Sequence, residues 1–348
     1  MSAAATWRRP RRLAPGDVVA VLSPSWGGPH AFPAVFERGL AVLRRWGLVV
    51  REYPTTRADP ARLARDARGR ARDLDAAFGD PEVSAIVASI GGDDSVRLLP
   101  FLGPARWASE PKLVLGYSDT TTLLVDGFAH GAVTFHGPSI MAGLAQLDAI
   151  PGYEDHVRQM LFEPRAGHEY IPYGRFAEGY PEWTDAARVG QTEPLQPDPG
   201  CRVLQGTGWA RGELLGGCIE VLEFLRGTPF WPAPALWASK ILFFETSEER
   251  PPVQAVRRML RGYGVSGALA GAAALLFGRA RGYSEDERAA LDRMLVEVVA
   301  GEFERPDLPV VSGLDFGHTD PQWVLPLGVR AELEVETGRL RLVEPWLR

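Results

Sequence analysis

The first half of the chain alternates short apolar runs with amphipathic stretches. Val18-Val-Ala-Val-Leu22, Leu48 to Tyr53, Val83 to Ile90 and Lys112 to Leu115 have the length and residue types of buried strands. Between them, Phe32 to Trp46 carries Val35, Leu40, Val42 and Leu43 at helical spacing, and Pro60 to Phe78 places Leu63, Ala67 and Leu74 in register. Asp94 to Leu102 reads as helical, and an apolar helix is expected from Thr120. Strands alternating with helices predict a parallel sheet covered on both faces. Ligands of such sheets sit beyond the carboxyl ends of the strands, which puts Ser23 to Gly28, Gly91 to Ser95 and Tyr117 to Asp119 on one rim.

From about Glu163 to Cys201 the pattern gives way to Pro, Gly and aromatic residues without a period, as in a linker. Beyond it, Trp209 to Leu215, Ile241 to Phe244, Ala272 to Phe277 and Leu308 to Val311 read as strands. Glu220 to Leu225, Pro251 to Tyr263 and Glu285 to Val299 read as helices, and Val329 to Glu336 with Arg339 to Val343 as a hairpin around Thr337-Gly338. The expected fold class is α/β. A flavodoxin-like parallel-sheet N-terminal domain (1–165) is followed by a linker (166–205) and a smaller mixed α/β C-terminal domain (206–348).

Composition narrows the function classes. The 348 residues are 45% hydrophobic and 24% charged, as in ordinary globular proteins, and carry a formal charge of −6. That charge gives no electrostatic reason to expect nucleic acid or an anionic membrane as partner. Cys201 and Cys218 form neither a disulfide framework nor a zinc-type spacing, and no metal or cofactor is expected. Arg8, Arg9, Arg11 and Arg12 are not followed by the apolar run of a signal peptide, so a cytoplasmic location is expected.

Gly116-Tyr-Ser118-Asp-Thr120 follows a strand and opens a helix. A hydroxyl there stands at a sharp turn, with free backbone N–H groups nearby for a developing oxyanion. The G-x-S-x-G elbow requires glycine where this chain has Thr120, which disfavours an α/β-hydrolase esterase, and Ser118 also suits a simple helix cap. Of six histidines, His30, His156 and His168 read as surface residues, and His130 and His136 as core or boundary residues. His318 lies in a Gly-rich loop after a strand, where catalytic groups concentrate. Glu245 ends the apolar run Ile241-Leu-Phe-Phe, whereas Glu248 and Glu249 read as a solvated turn. Asp93 and Asp94 suit the N-terminus of a helix better than a metal site. A competing reading is a non-enzymatic metabolite-binding module, with the Gly91-Gly92 turn cradling a phosphate; the usual phosphate-binding glycine patterns are absent.

Seven segments in order resemble the LD-carboxypeptidase family of serine peptidases. They are Pro15-Gly-Asp-Val-Val-Ala-Val-Leu-Ser-Pro24, Ile90-Gly-Gly-Asp-Asp-Ser95, Gly116-Tyr-Ser-Asp-Thr120, Phe135-His-Gly-Pro138, Gly212-Glu-Leu-Leu-Gly-Gly217, Leu242-Phe-Phe-Glu245 and Gly317-His318. The resemblance implies a Ser118–His318–Glu245 triad, an oxyanion hole from the backbone N–H groups of Asp119 and of the Gly91-Gly92 turn, and a homodimer. Where many members carry asparagine, this chain has Cys218. The Gly-Gly-Asp-Asp-Ser stretch looks more like the branch of microcin C immunity proteins than dedicated murein-recycling carboxypeptidases. That branch implies an aminoacyl- or peptidyl-nucleotide substrate; the alternative is release of D-alanine from murein tetrapeptides. Asp93 and Trp183 are the expected substrate contacts, Trp183 through stacking on a base.

Overall fold

A computed structural model describes residues 7–108 and 110–348; the first six residues of the arginine-bearing start lie outside it. Six strands form the first sheet: β1 (Val18–Leu22), β2 (Val49–Glu52), β3 (Val83–Ala88), β4 (Leu113–Gly116), β5 (Thr134–His136) and β14 (Leu325–Leu327). Their order is β14-β5-β4-β3-β1-β2, parallel except for β14, which runs antiparallel to β5. The apolar runs of β1, β3 and β4 are buried because the helices Pro33–Arg45, Ala67–Gly79 and Thr121–Ala129 pack on the sheet. The helix expected over 60–78 is two helices, Pro60–Arg65 and Ala67–Gly79, since Asp66 caps the second by accepting from the Gly69 N–H. The stretch after Asp94 is a 3₁₀ helix, Ser95–Phe101, with Pro100 inside it.

The second sheet adds β6 (His168–Glu169), β9 (Arg202–Gln205), β10 (Trp209–Cys218), β11 (Lys240–Glu245), β12 (Ala274–Gly278), β13 (Val310–Leu314), β15 (Arg330–Glu334) and β16 (Arg339–Leu342). Its order is β6-β16-β15-β10-β11-β12-β13-β9. The strands β10 to β13 are parallel and the outer ones antiparallel. The aperiodic segment 166–205 supplies both edge strands, β6 and β9, and a small pair, β7 (Arg175–Phe176) with β8 (Gln196–Pro197). The helix at 285 runs to Val296 and continues as a π turn, Glu297–Glu302. The closing hairpin turns at Gly338 with φ 66°, the left-handed conformation glycine adopts without strain. The β14 strand returns the chain to the first sheet, pairing Leu325 with His136. Among the described residues, no helix is long and apolar enough to cross a membrane.

Candidate active site

The chain leaves β4 at Gly116, and two residues later Ser118 adopts φ 55°. A non-glycine residue in the left-handed region costs about 1–3 kcal/mol, and such strain concentrates at functional positions. Ser118 makes no capping hydrogen bond to the helix that follows, so the simple cap reading does not account for it. Gly91 crosses directly above: a Cβ there would lie 2.7 Å from the Ser118 Oγ. Asp119 is fully buried and its Oδ2 accepts from the N–H groups of Asp94 (3.0 Å) and Ser95 (2.7 Å), clamping the Gly91 to Ser95 turn onto the serine. From the other side, Arg70 holds Asp94 with a two-point ion pair of 2.6 and 2.8 Å and donates to the Pro24 carbonyl. Asp93 is exposed on the outside of this turn and does not line the cavity that Ser118 faces.

Glu245 ends β11 with its carboxylate fully buried, and His318 follows β13 on the next loop. His318 Nδ1 and Glu245 Oε2 are 2.7 Å apart. Gly317, at φ 105°, permits this: a Cβ would meet the Glu245 side chain at 2.8 Å. Burial alone would lower the His318 pKa, but the charge and hydrogen bond of Glu245, with smaller contributions from Glu248 and Glu220, lift it to about 9. Burial likewise works against the Glu245 carboxylate, yet His318 and the facing His136 hold its pKa down at about 2.

Three residues join this site that the sequence did not mark for it. His136 is buried at the end of β5, its Nε2 3.6 Å from Glu245 Oε1. Its only signal was its position in Phe135-His-Gly-Pro138. Glu248, read as solvated, is half exposed, yet its Oε2 reaches within 3.1 Å of His318 Nε2. The loop is turned that way because Glu220 Oε1 accepts from the N–H (2.9 Å) and Oγ (2.8 Å) of Ser247. Cys218 lies beside this pair, but burial raises its thiol pKa well above the ordinary range, which rules it out as a ready nucleophile.

Ser118, Tyr117, Gly92 and His318 line one side of a cavity of about 330 Å³, and Trp183, Tyr180, Glu248 and Arg281 contribute to its walls. No hydrogen bond joins Ser118 to His318 among the described residues, and His318 Nε2 has no well-aligned partner. Among the described residues the Gly92 N–H likewise has no acceptor. No group of side chains suited to a metal ion occurs among the described residues. His156 and His168 are not surface residues. The His156 Nε2 accepts from the Val324 N–H (2.9 Å) and its ring is partly buried beside Tyr153, Val157 and Met160 on the inward face of the helix Tyr153–Phe162, and His168 is buried in β6.

Profiles of the LD-carboxypeptidase N-terminal and C-terminal domains match residues 19–137 and 211–333. A Streptomyces coelicolor protein named as a carboxypeptidase is 34% identical, covering 97% of this chain and 97% of its own length. The microcin C7 self-immunity protein MccF of Escherichia coli is 25% identical over 96% of this chain and 95% of its own. The crystal structure of an MccF-like protein from Streptococcus pneumoniae in complex with AMP matches with a TM-score of 0.84 at 26% identity, covering 94% of this chain and 98% of that one. Fold and profiles together define a serine carboxypeptidase-type hydrolase. The chain belongs to the LD-carboxypeptidase family.

Proposed function

We propose that this protein hydrolyses an amide bond with Ser118 as nucleophile, His318 as general base and acid, and Glu245 as the group that orients the ring. The observation that carries the reading is the buried 2.7 Å His318–Glu245 pair opening onto the same cavity as a serine held at φ 55°. Ser118 Oγ attacks the scissile carbonyl carbon and passes its proton to His318 Nε2. The N–H groups of Gly92 and Asp119 stabilise the oxyanion that forms. His318 then gives its proton to the leaving nitrogen as the C–N bond breaks, leaving an ester on Ser118. Water attacks that ester, its proton passing to Nε2 and then to the Ser118 oxygen as the acid departs. Glu245 fixes the tautomer with Nε2 free and stabilises the ring when it is charged.

The substrate we favour is an aminoacyl- or peptidyl-nucleotide. MccF is named for immunity to microcin C7, and the MccF-like neighbour is described in complex with AMP. Trp183 supports this: it stands on the cavity wall next to Tyr180, with ring centroids 5.9 Å apart, as a face on which a base could stack. The second reading, release of D-alanine from murein tetrapeptides, is favoured by the activity for which the matched family is named. The proposal includes a cytoplasmic homodimer with N-terminal (1–165) and C-terminal (206–348) domains meeting at the cleft. The test is Ser118→Ala. Turnover should fall by about 10⁶-fold while the melting temperature holds, and retained turnover sinks the serine reading. Efficient D-alanine release with no cleavage of an aspartyl sulfamoyl-adenosine analogue selects the second substrate.

A further inference from the structure

The loop after β12 carries two arginines in contrasting surroundings. Arg279 is buried and neutralised: it donates to Asp198 (2.5 Å), to Thr319 Oγ1 (2.9 Å) and to Asp315. Arg281, two residues on, has no hydrogen bond or ion pair among the described residues, although it is half-buried in the cavity wall that also holds Ser118 and His318. Its guanidinium packs over Gly179, where a Cβ would come within 2.3 Å of an Nη, so the backbone before Tyr180 leaves room for it. The other charged groups on the cavity wall are Glu248 and His318, which face each other at 3.1 Å. The cavity wall is thus polarised, with Glu248 at His318 and, across from it, Arg281, whose guanidinium feels the buried Asp320 behind the wall but makes no hydrogen bond to it.

From this we infer that Arg281 is the specificity residue that receives an anionic group of the substrate, a carboxylate or a phosphoryl-type oxyanion. The inference rests on the serine-hydrolase reading and adds the charge of the molecule that reading leaves open. A guanidinium offers planar two-point donation to either oxyanion. Because Arg281 makes no hydrogen bond or ion pair that a ligand must break among the described residues, bonds to a ligand take up donors the protein does not use. An anion held there fixes which amide lies over Ser118, which is how a hydrolase with generic triad chemistry confines itself to bonds beside a negative charge.

Binding to Ser118→Ala tests this without turnover, using calorimetry with two matched pairs: AMP against adenosine, and a murein tetrapeptide against its C-terminal amide. The anionic member of at least one pair should bind about tenfold or more tightly than its neutral partner. Adding Arg281→Gln should abolish that preference, and Arg281→Lys, which keeps the charge but not the fork, should retain part of it. The pair that shows the preference identifies phosphoryl or carboxylate as the anion. Equal binding within both pairs, or a preference that survives Arg281→Gln, overturns the inference. Turnover persisting in Ser118→Ala would instead remove the serine reading, so the two failures are separable.

Discussion

His318 is buried and His156 partly so, yet their surroundings drive the two rings in opposite directions. Around His156 stand His168, Tyr170 and Tyr173, with ring centroids 5.9–6.2 Å away, and among the described residues it makes no ion pair with a carboxylate. Burial, helped by His168, lowers its pKa to about 3, and burial lowers that of His168 to about 4. Around His318 stand Glu245, Glu248 and Glu220, with the Tyr117 ring 4.9 Å away and His136 behind Glu245. Burial there is outweighed and the pKa rises to about 9. Enclosure alone therefore makes a neutral, structural histidine, and a carboxylate at the end of a buried strand makes one that can hold and move a proton.

The contrast breaks most sharply at Glu245. Glu245→Gln keeps the shape but removes the charge that fixes and stabilises the ring, and the turnover rate should drop by about 10⁴-fold. A loss of less than tenfold would show that the pair is not a catalytic unit. The same substitution should alter stability on the alkaline side. A histidine raised from 6.5 to about 9 contributes stability that is complete below pH 6.5 and is lost as pH rises through 9. Thermal melts of the parent should show that decline and those of Glu245→Gln should not.

A smaller effect is expected at Glu248, which is half exposed and so largely screened. With His318 protonated below about pH 9 in this conformation, the acid limb of kcat/KM reports how readily the ring becomes a base. Glu248→Gln should move that limb down by ~0.5 pH unit. An unmoved limb would mean that Glu248 swings away from Nε2 in the free protein.

How much of this was legible follows from local rules. Strands β1, β3 and β4 of the first sheet were visible because buried parallel strands read as apolar runs, and Glu245 and His318 because a charged or polar group interrupts or follows such a run. Ser118 was visible as a strand-to-helix hydroxyl, but its strained φ was not, since Thr120 breaks the glycine signature. In the structure the Thr120 side chain occupies the space that Gly116 leaves open. His136 was hidden because β5 has three residues, too few to show a period. The strands of segment 166–205 were hidden for the same reason: each is two to four residues long and its pairing partners are distant in sequence. The approach of Glu248 to His318 was hidden because the direction of its loop is set by Glu220, which no local pattern connects to it.

The smallest effect on catalysis is expected at the other histidine, and it tests whether the two clusters are independent. His156 accepts from the Val324 N–H, and Tyr170 donates its hydroxyl to the Val324 carbonyl at 2.8 Å. Val324 leads into β14, whose Leu325 pairs with His136. A structural path therefore runs from His156 to the edge of the catalytic cluster, although His156 itself lies in a separate pocket with His168 and Tyr173. His156→Phe keeps a ring and leaves the Val324 N–H without its acceptor, so stability at neutral pH should fall by about 1–3 kcal/mol. A histidine lowered from 6.5 to about 3 contributes stability that is complete above pH 6.5 and is lost as pH falls towards 3. Melts of His156→Phe should accordingly decline less steeply over that acid window than those of the parent. Turnover and the acid limb of kcat/KM should stay unchanged, because the charges facing His318 are untouched. If that limb moves, β14 transmits strain from one cluster to the other, and the catalytic histidine is tuned by packing as well as by its carboxylates.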